Sequence, residues 1–141
     1  MRFFLDANIL VSVLCNEYPL FTYTSRVLSL CDNPKFEVYT SPLCLAIAYY
    51  FTEKKNGNKI ALNKIEVLTR KLKITLMDGD IVKKSIQYKS IHDFEDRLQY
   101  YSALQSKCKR IVTEDKGDYY FSDIEVLNAE DFLRSYAVKK K

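Results

Sequence analysis

Short apolar segments alternate with longer segments of helical character along the whole chain. The apolar segments are Arg2–Leu5, Phe36–Thr40, Lys73–Met77, Arg110–Thr113 and Ile124–Leu127. Because strands that alternate with helices build a parallel sheet covered on both faces, this order predicts an α/β protein. Only three Gly and three Pro occur among the 141 residues, which disfavours a turn-rich all-β fold.

The segments between the predicted strands carry helix signals. Ala61, Ile65 and Leu68 fall on one stripe at helical spacing, and Ser41-Pro42 has the N-cap residue and first-turn Pro of a helix start. The predicted helices are Asn8–Cys15, Phe21–Leu30, Pro42 to about Lys54, Lys59–Lys71, a helix after Asp78-Gly79-Asp80 that ends near Tyr88, Asp93–Lys107, and a last helix that starts at Asn128. Asp115–Phe121 is predicted as a loop or a single helical turn.

Length and composition predict one globular domain, residues 1–138, followed by a basic tail at residues 139–141. The hydrophobic fraction is 48%, which is enough for a core. The four cysteines form no C-x-x-C pair, so we expect reduced thiols rather than a zinc site or a disulfide framework. Asp6 interrupts the apolar N-terminus, and no segment approaches the roughly 20 apolar residues of a membrane span. We therefore expect a soluble cytoplasmic protein.

Positive charge is concentrated in one segment, Lys54–Lys73. This segment has seven basic residues and one acid, Glu66, so its net charge is +6 and the rest of the chain sums to −2. Such a surface suits a phosphate-bearing partner, although a solvated helix face would have the same composition.

Carboxylates follow the first and fourth predicted strands. Asp6 comes directly after the first strand, Asp115 and Asp118 follow the fourth, and Asp96 lies in the helix that leads into the fourth. The carboxyl ends of parallel strands meet at one edge of a sheet, so these residues are predicted to converge. Two carboxylates about 4 Å apart repel by roughly 4 kcal/mol, and a hard cation such as Mg²⁺ offsets that cost. The pattern therefore predicts a metal site suited to phosphodiester hydrolysis.

Each of these acids also has a structural explanation. Asp6 suits the N-cap of the first helix, and Asp93 suits the N-cap of its own helix with Asp96 three residues further on. Asp118 suits a turn. His92 is the only histidine and is predicted to be a loop residue rather than a ligand. The convergence of several acids at one predicted edge favours the site.

Four stretches in this order, FLDANIL, DFEDRLQYYSAL, IVTEDKGDY and IEVLNAEDFL, resemble the PIN domain family, and within it the VapC-like toxin ribonucleases. The resemblance runs from residue 2 to about residue 136. It implies a three-layer α/β/α sandwich with a mostly parallel five-stranded sheet. It also implies a Mg²⁺- or Mn²⁺-dependent site that cuts RNA, a small antitoxin partner and a homodimer.

The resemblance also assigns roles to individual residues. Asp6, Asp96 and Asp118 match the acids of the family and are the implied catalytic residues and metal ligands. Asp115 stands where the family often has Asn and is implied as a further ligand. The implied supporting residues are Asn8, Ser41, Glu95 and Thr113.

Two positions depart from the family pattern. Many members carry a Glu on the third helix, and that position is Ile47 here, with no acid between Glu37 and Glu53. Glu114 replaces a common Arg. An apolar residue cannot ligate a cation, so Asp115 and Glu95 are the candidates to compensate.

Three functions follow from these observations. The first is a metal-dependent endoribonuclease, the toxin of a toxin–antitoxin pair. The second is a catalytically impaired domain that binds RNA or a partner protein, as Ile47 suggests. The third is a phosphatase of the haloacid dehalogenase type, because Asp6-Ala7-Asn8 resembles its D-x-D opening; the second acid of that opening is replaced here by Asn8.

Overall fold

A computed structural model describes residues 1–87 and 93–137 and contains one five-stranded sheet. The strands are β1 (Arg2–Leu5), β2 (Glu37–Thr40), β3 (Lys73–Ile74), β4 (Arg110–Val112) and β5 (Glu125–Leu127). They lie in the order β3-β2-β1-β4-β5, and every pairing is parallel. The predicted alternation of strands and helices is confirmed, as is the parallel sheet.

One strand is much shorter than predicted. The apolar pattern predicted a strand over Lys73–Met77, but β3 ends at Ile74. β3 lies at the edge of the sheet and pairs only with β2, so its continuation depends on a single neighbour. Thr75 still donates its backbone N–H to the Thr40 carbonyl at 2.8 Å, and the chain then turns toward the next helix, which Asp78 caps.

Helices fill the connections, close to the predicted positions. They are α1 (Ala7–Leu14), α2 (Phe21–Ser29), α3 (Pro42–Asn56), α4 (Asn58–Lys71), α5 (Gly79–Ile86), α6 (Phe94–Gln105) and α7 (Ala129–Phe132), the last continued by a π-helical turn at Leu133–Ala137. A 3₁₀ turn covers Lys116–Tyr119. Ser41 caps α3 as predicted, because its hydroxyl accepts from the Cys44 N–H at 2.9 Å. The predicted end of α5 near Tyr88 and the tail at 139–141 lie outside the described residues.

The helices lie in two layers. α1 contacts α2 and α3, α3 contacts α4, and α2 contacts α7, whereas α5 and α6 contact each other. Right-handed connections from β1 to β2 and from β2 to β3 put their helices on one face, and the return from β3 to β4 puts α5 and α6 on the other. Phe3, Phe4, Leu5 and Ile111 in the two central strands are fully buried between these layers. The predicted three-layer sandwich is confirmed.

Much of the basic segment Lys54–Lys73 is engaged within the protein. Lys55 and Lys64 donate from Nζ to the carbonyls of Cys15 and Leu14, the second at 2.8 Å. Positive charge there stabilises the C-terminal end of α1. Three further basic residues form the ion pairs Arg70–Glu66, Lys71–Asp32 and Lys73–Glu37. The ion pairs offset part of the positive charge of the segment, and the two lysine–carbonyl hydrogen bonds hold those ammonium groups against α1.

Two further properties concern cysteines and membranes. All four cysteines are free, and Cys15, Cys44 and Cys108 are buried. Burial raises the pKa of the Cys108 thiol to about 12, so it stays protonated. Among the helices of the described residues, none combines the length and apolarity needed to cross a bilayer.

Candidate functional site

The carboxyl ends of β1 and β4 lie side by side and begin the candidate site. The Asp6 N–H donates to the Val112 carbonyl at 3.0 Å, so the first residue after β1 lies beside the first residue after β4, Thr113. Adjacent parallel strands therefore bring together side chains that are more than a hundred residues apart in sequence. The predicted neighbourhood of the first and fourth strands is confirmed.

Four residues at these strand ends form a hydrogen-bonded group, which we call the inner cluster: Asp6, Asn8, Thr113 and Asp115. The Thr113 hydroxyl donates to Asp6 Oδ2 at 2.9 Å and accepts from Asn8 Nδ2 at 2.9 Å. Asn8 Nδ2 also lies 3.2 Å from Asp115 Oδ2, and the Asp115 N–H donates to Thr113 Oγ1 at 3.1 Å. Asn8 and Thr113, both expected to support the acids, therefore connect Asp6 to Asp115.

Asp6 both caps a helix and lines the site. Its Oδ1 accepts from the Ala7 N–H at 2.8 Å, which makes it the N-cap of α1, and its side chain also lines the central cavity. Burial raises the pKa of the carboxyl, and the hydrogen bonds from Ala7 and Thr113 oppose that rise. Asp6 is therefore the N-cap of α1 and also a lining residue of the cavity, and its catalytic role stays a prediction.

Three further carboxylates form a second group, the outer cluster: Asp93, Asp96 and Asp118. One oxygen of each lies within 4.8 Å of the others. Burial raises the pKa of Asp96 to about 7, with further contributions from Asp118 and Asp6. Burial and nearby acids also raise the pKa of Asp118. Repulsion of this kind disfavours three ionised carboxylates unless a cation lies between them.

Asp93 is the main correction to the sequence-based assignment. Capping of α6 was its alternative explanation, and it occupies the N-cap position, but its side chain makes no capping hydrogen bond and its backbone is left-handed, with φ of 72°. That conformation directs its carboxylate to the outer cluster instead. Its i, i+3 spacing from Asp96 was the available signal, because residues three apart share a face at a helix start.

The two clusters open into one cavity of about 360 Å³. Asp6, Asn8, Glu95, Asp96, Asp115 and Asp118 line it, so these predicted site residues are brought together. Burial, followed by the charges of Asp6, Asp93 and Asp118, raises the pKa of Glu95. Glu17, in the turn after α1, also lines the cavity and was not predicted. No strand-end or helix-face pattern marks that residue.

One wall of the cavity is apolar. Ile47 and Phe51, one turn apart on α3, both line it. The α3 position at which many family members carry an acid therefore contributes a half-buried hydrocarbon side chain here, and α3 contributes no carboxylate to the cavity lining.

Ser41 acts outside the cavity. Besides capping α3, its hydroxyl donates to Gln99 Oε1 on α6, so it joins the helix after β2 to the helix that carries Asp96. Gln99 is buried, and its Nε2 has no acceptor among the described residues. His92, predicted to be a loop residue, lies outside the described residues.

The donors of the two clusters suit a hard divalent cation. They offer carboxylate oxygens, and within the described residues the acidic group contains neither sulfur nor imidazole. Asn8 supports this group through its amide nitrogen, because its amide oxygen accepts from the Glu114 N–H at 3.1 Å. Oxygen-only sites of this kind favour Mg²⁺ or Mn²⁺ over softer metals. A bound cation would also offset the burial and the repulsion from neighbouring acids that together raise the pKa of Asp96.

Comparison with known proteins gives a relative similar over nearly the whole chain. The chain is 31% identical over 139 residues to a protein named Ribonuclease VapC1 from Aquifex aeolicus (strain VF5), covering 96% of this chain and 95% of the relative. The two proteins therefore align over nearly their whole lengths.

Solved structures share the fold at lower identity. VapBC2 from Rickettsia felis, solved bound to a promoter DNA fragment, matches with a TM-score of 0.68 and 18% identity, covering 91% of this chain and 98% of the other. Mycobacterium tuberculosis VapC20, described as a toxin that cleaves the sarcin-ricin loop, matches with a TM-score of 0.67 and 13% identity, covering 86% and 98%. The family model described as "PIN domain" matches residues 2–117, and the chain therefore belongs to the PIN domain family.

Proposed function

We propose that this protein is a metal-dependent endoribonuclease and the toxin of a toxin–antitoxin pair. The observation that carries the proposal is the outer cluster, where Asp93, Asp96 and Asp118 approach within 4.8 Å beside the strand-end residue Asp6. A relative named Ribonuclease VapC1 supports RNA as the substrate.

Asp96, Asp118 and Asp93 would hold Mg²⁺ or Mn²⁺, with Asp6 and Asp115 on the inner side. A divalent ion bound there would stabilise negative charge on the phosphate and promote ionisation of a water molecule. Hydrolysis would leave a 5′-phosphate and a 3′-hydroxyl. The protein's own part is positioning: Thr113 and the Ala7 N–H fix both oxygens of Asp6, and Asn8 holds Asp115.

The test is RNA cleavage by the wild-type protein and by Asp6→Asn, each with Mn²⁺, with Mg²⁺ and with EDTA. We expect metal-dependent cleavage by the wild type, no cleavage in EDTA, and a loss of about 100-fold or more in Asp6→Asn. Equal cleavage by both proteins, or cleavage in EDTA, would contradict the proposal.

Ile47 favours a second candidate, a domain that binds RNA or a partner protein without cutting. An apolar wall supplies no ligand where the family often has one, so a cation would rely on fewer protein oxygens. RNA binding with no cleavage in any metal would favour this candidate. The phosphatase alternative is set aside, because the chain belongs to the PIN domain family and Asn8 has a bridging role within the inner cluster.

An antitoxin partner is part of the proposal. Two of the structural neighbours, VapBC2 and VapBC-1 from nontypeable Haemophilus influenzae, bear the names of two-component complexes. On this chain, a largely apolar groove of about 440 Å³ between α1, α2 and α4 offers a surface for a protein segment. The homodimer, the cytoplasmic location and the single domain over residues 1–138 also stay predictions.

A further inference from the structure

The exposed aromatic side chains of the described residues lie close in sequence to the lining of the acidic cavity. Five are exposed: Tyr18 (71%), Tyr50 (52%), Phe51 (46%), Phe94 (46%) and Tyr120 (68%). Each lies at, or within two residues of, a position that lines the acidic cavity. Phe51 is itself part of the lining, Tyr18 follows Glu17, and Tyr120 comes two residues after Asp118. Phe94 lies between Asp93 of the outer cluster and Glu95 of the lining.

Exposed aliphatic side chains lie elsewhere. They occur on α4, in and just after β3, and on α5: Ile60, Leu62, Val67, Ile74, Leu76, Val82 and Ile86. Among the described residues, none of these seven lines the acidic cavity or adjoins a residue that does. Burial against a protein partner rewards aliphatic and aromatic surface alike, so a general protein interface does not explain why the exposed large apolar residues in or next to the lining are all aromatic. Aromatic rings differ in offering a flat π-face, on which a nucleobase can stack.

The charges around the cavity also favour a nucleic acid that binds through its bases. An acidic cavity repels the phosphates of RNA, and much of the basic segment is occupied by internal contacts, among them those of Lys55 and Lys64 with the end of α1. The acidic lining therefore opposes the backbone electrostatics that usually supply nucleic-acid affinity. Contacts to the uncharged bases can supply affinity that the phosphates do not.

We propose that Tyr18, Phe51, Phe94 and Tyr120, the aromatic rim, bind unpaired RNA bases by stacking on either side of the phosphodiester to be cut. The proposal rests on the ribonuclease function and adds the residues that hold the substrate. Bases inside a duplex are already stacked and paired, so the rim selects single-stranded segments, loops or bulges.

Binding of labelled RNA tests the rim directly. All proteins carry Asp96→Asn so that the RNA stays intact, and the variants Phe51→Leu, Phe94→Leu and Tyr120→Leu are added singly. The probes are a fluorescein-labelled single-stranded RNA and the same strand with abasic sites at its centre. Leucine keeps the apolar surface but removes the ring, and these exposed positions tolerate substitution without loss of the fold, which thermal melts would verify.

We expect each leucine variant to weaken binding of the intact strand by about 5-fold or more and to leave the weaker binding of the abasic strand unchanged. A 2-aminopurine base in the strand should lose fluorescence quenching in the same variants. Tyr50→Leu is the matched control. Tyr50 is on the same helix as Phe51 and similarly exposed, but it does not line the cavity, and Lys54 Nζ lies over its ring, 4.2 Å from the ring centroid. A lysine already covers one face of this ring, so RNA binding by Tyr50→Leu should stay within about twofold of the parent protein.

The remaining outcomes separate this inference from the proposed function. If the leucine variants lose affinity equally for the intact and abasic strands, or lose none for either, the proposed aromatic rim is overturned even if the wild type cleaves RNA. Unchanged RNA binding combined with lost binding of a co-purified small protein would assign the rings to a protein interface and overturn the rim as well. If RNA binding depends on the bases but the wild type cleaves RNA with no metal tested, the aromatic rim stands and the proposed ribonuclease function is rejected.

Discussion

Both the inner and the outer cluster contain carboxylates, but they differ in whether the protein supplies hydrogen-bond donors to those carboxylates. Both oxygens of Asp6 accept hydrogen bonds, from Ala7 and from Thr113, and Asn8 donates to Asp115. In the outer cluster, no donor among the described residues reaches the carboxylates of Asp93, Asp96 or Asp118, and the pKa of Asp96 rises to about 7. The fold therefore supplies hydrogen-bond donors to the inner carboxylates, whereas the outer carboxylates lack such donors among the described residues.

The largest effect should come from the outer cluster. Asp96→Asn removes a charged oxygen from the group that would hold the ion, so we expect kcat/KM for RNA cleavage in Mn²⁺ to fall by about 100-fold or more. The measurement is initial rates across a Mn²⁺ titration. Asp80→Asn, an exposed acid in the first turn of α5, is the control and should stay near wild type. A loss of less than threefold or so in Asp96→Asn would show that the outer cluster does not hold the ion.

Removing hydrogen bonds from the inner cluster should lower the stability of the folded protein. Thr113 is fully buried and its hydroxyl makes three hydrogen bonds, with Asp6, Asn8 and the Asp115 N–H. Thr113→Val keeps the shape but leaves those partners unsatisfied, which should lower the free energy of unfolding by about 2 kcal/mol. Urea denaturation measures the change.

The matched control for Thr113→Val is Thr69→Val. The Thr69 hydroxyl is exposed on α4 and donates to the Glu66 carbonyl, so the change in unfolding free energy should be under about 0.5 kcal/mol. If both variants lose the same stability, the inner cluster is no better compensated than a surface residue, and the contrast between the clusters fails.

The smallest effect is a dependence of stability on pH without metal. Burial and the neighbouring acids raise the pKa of Asp96 from its ordinary value of 3.8 to about 7. Between these values the folded state binds more protons than the unfolded state, so stability falls as pH rises through this window and levels off above it. Asp96 is half-buried, so solvent screening reduces the effect, and we expect the wild-type Tm to drop by about 3 °C more than that of Asp96→Asn between about pH 5 and pH 7.5.

Millimolar Mn²⁺ should raise the wild-type Tm at the upper pH and leave Asp96→Asn nearly unchanged, because only the wild type retains the complete outer cluster. Scanning calorimetry or fluorescence melts at matched ionic strength provide both measurements. If the Tm of the wild type and that of Asp96→Asn fall in parallel as pH rises, Asp96 contributes little to the pH dependence of stability.

Sequence patterns predicted the parts of the site that depend on local rules. Asp6 and Asp118 follow central strands, and parallel pairing alone brings those strand ends together. Ser41-Pro42 identified the start of α3 because capping involves only neighbouring residues. In each case the information lies within a few residues or in the order of the elements.

The remaining features depend on positions that only the folded chain sets. The left-handed backbone of Asp93 is a single-residue conformation that the surrounding structure selects, so a capping pattern there was misleading. Lys55 and Lys64 were counted as a basic surface, but the end of α1 lies within their reach. β3 stops early because its single partner, β2, ends at Thr40, which pairs with Ile74. Glu17 reaches the cavity from a turn that has no periodic pattern.

The hydrogen bond between the Asp6 N–H and the Val112 carbonyl has a consequence for how the protein opens. It lies between the two central strands, so the Asp6 amide can exchange its hydrogen with solvent only when the whole sheet separates. Asp118 lies in a short 3₁₀ turn at the surface, and its amide can exchange through local openings. The protein would thus keep one half of its site as rigid as its core while the other half adjusts to each arriving ion and strand.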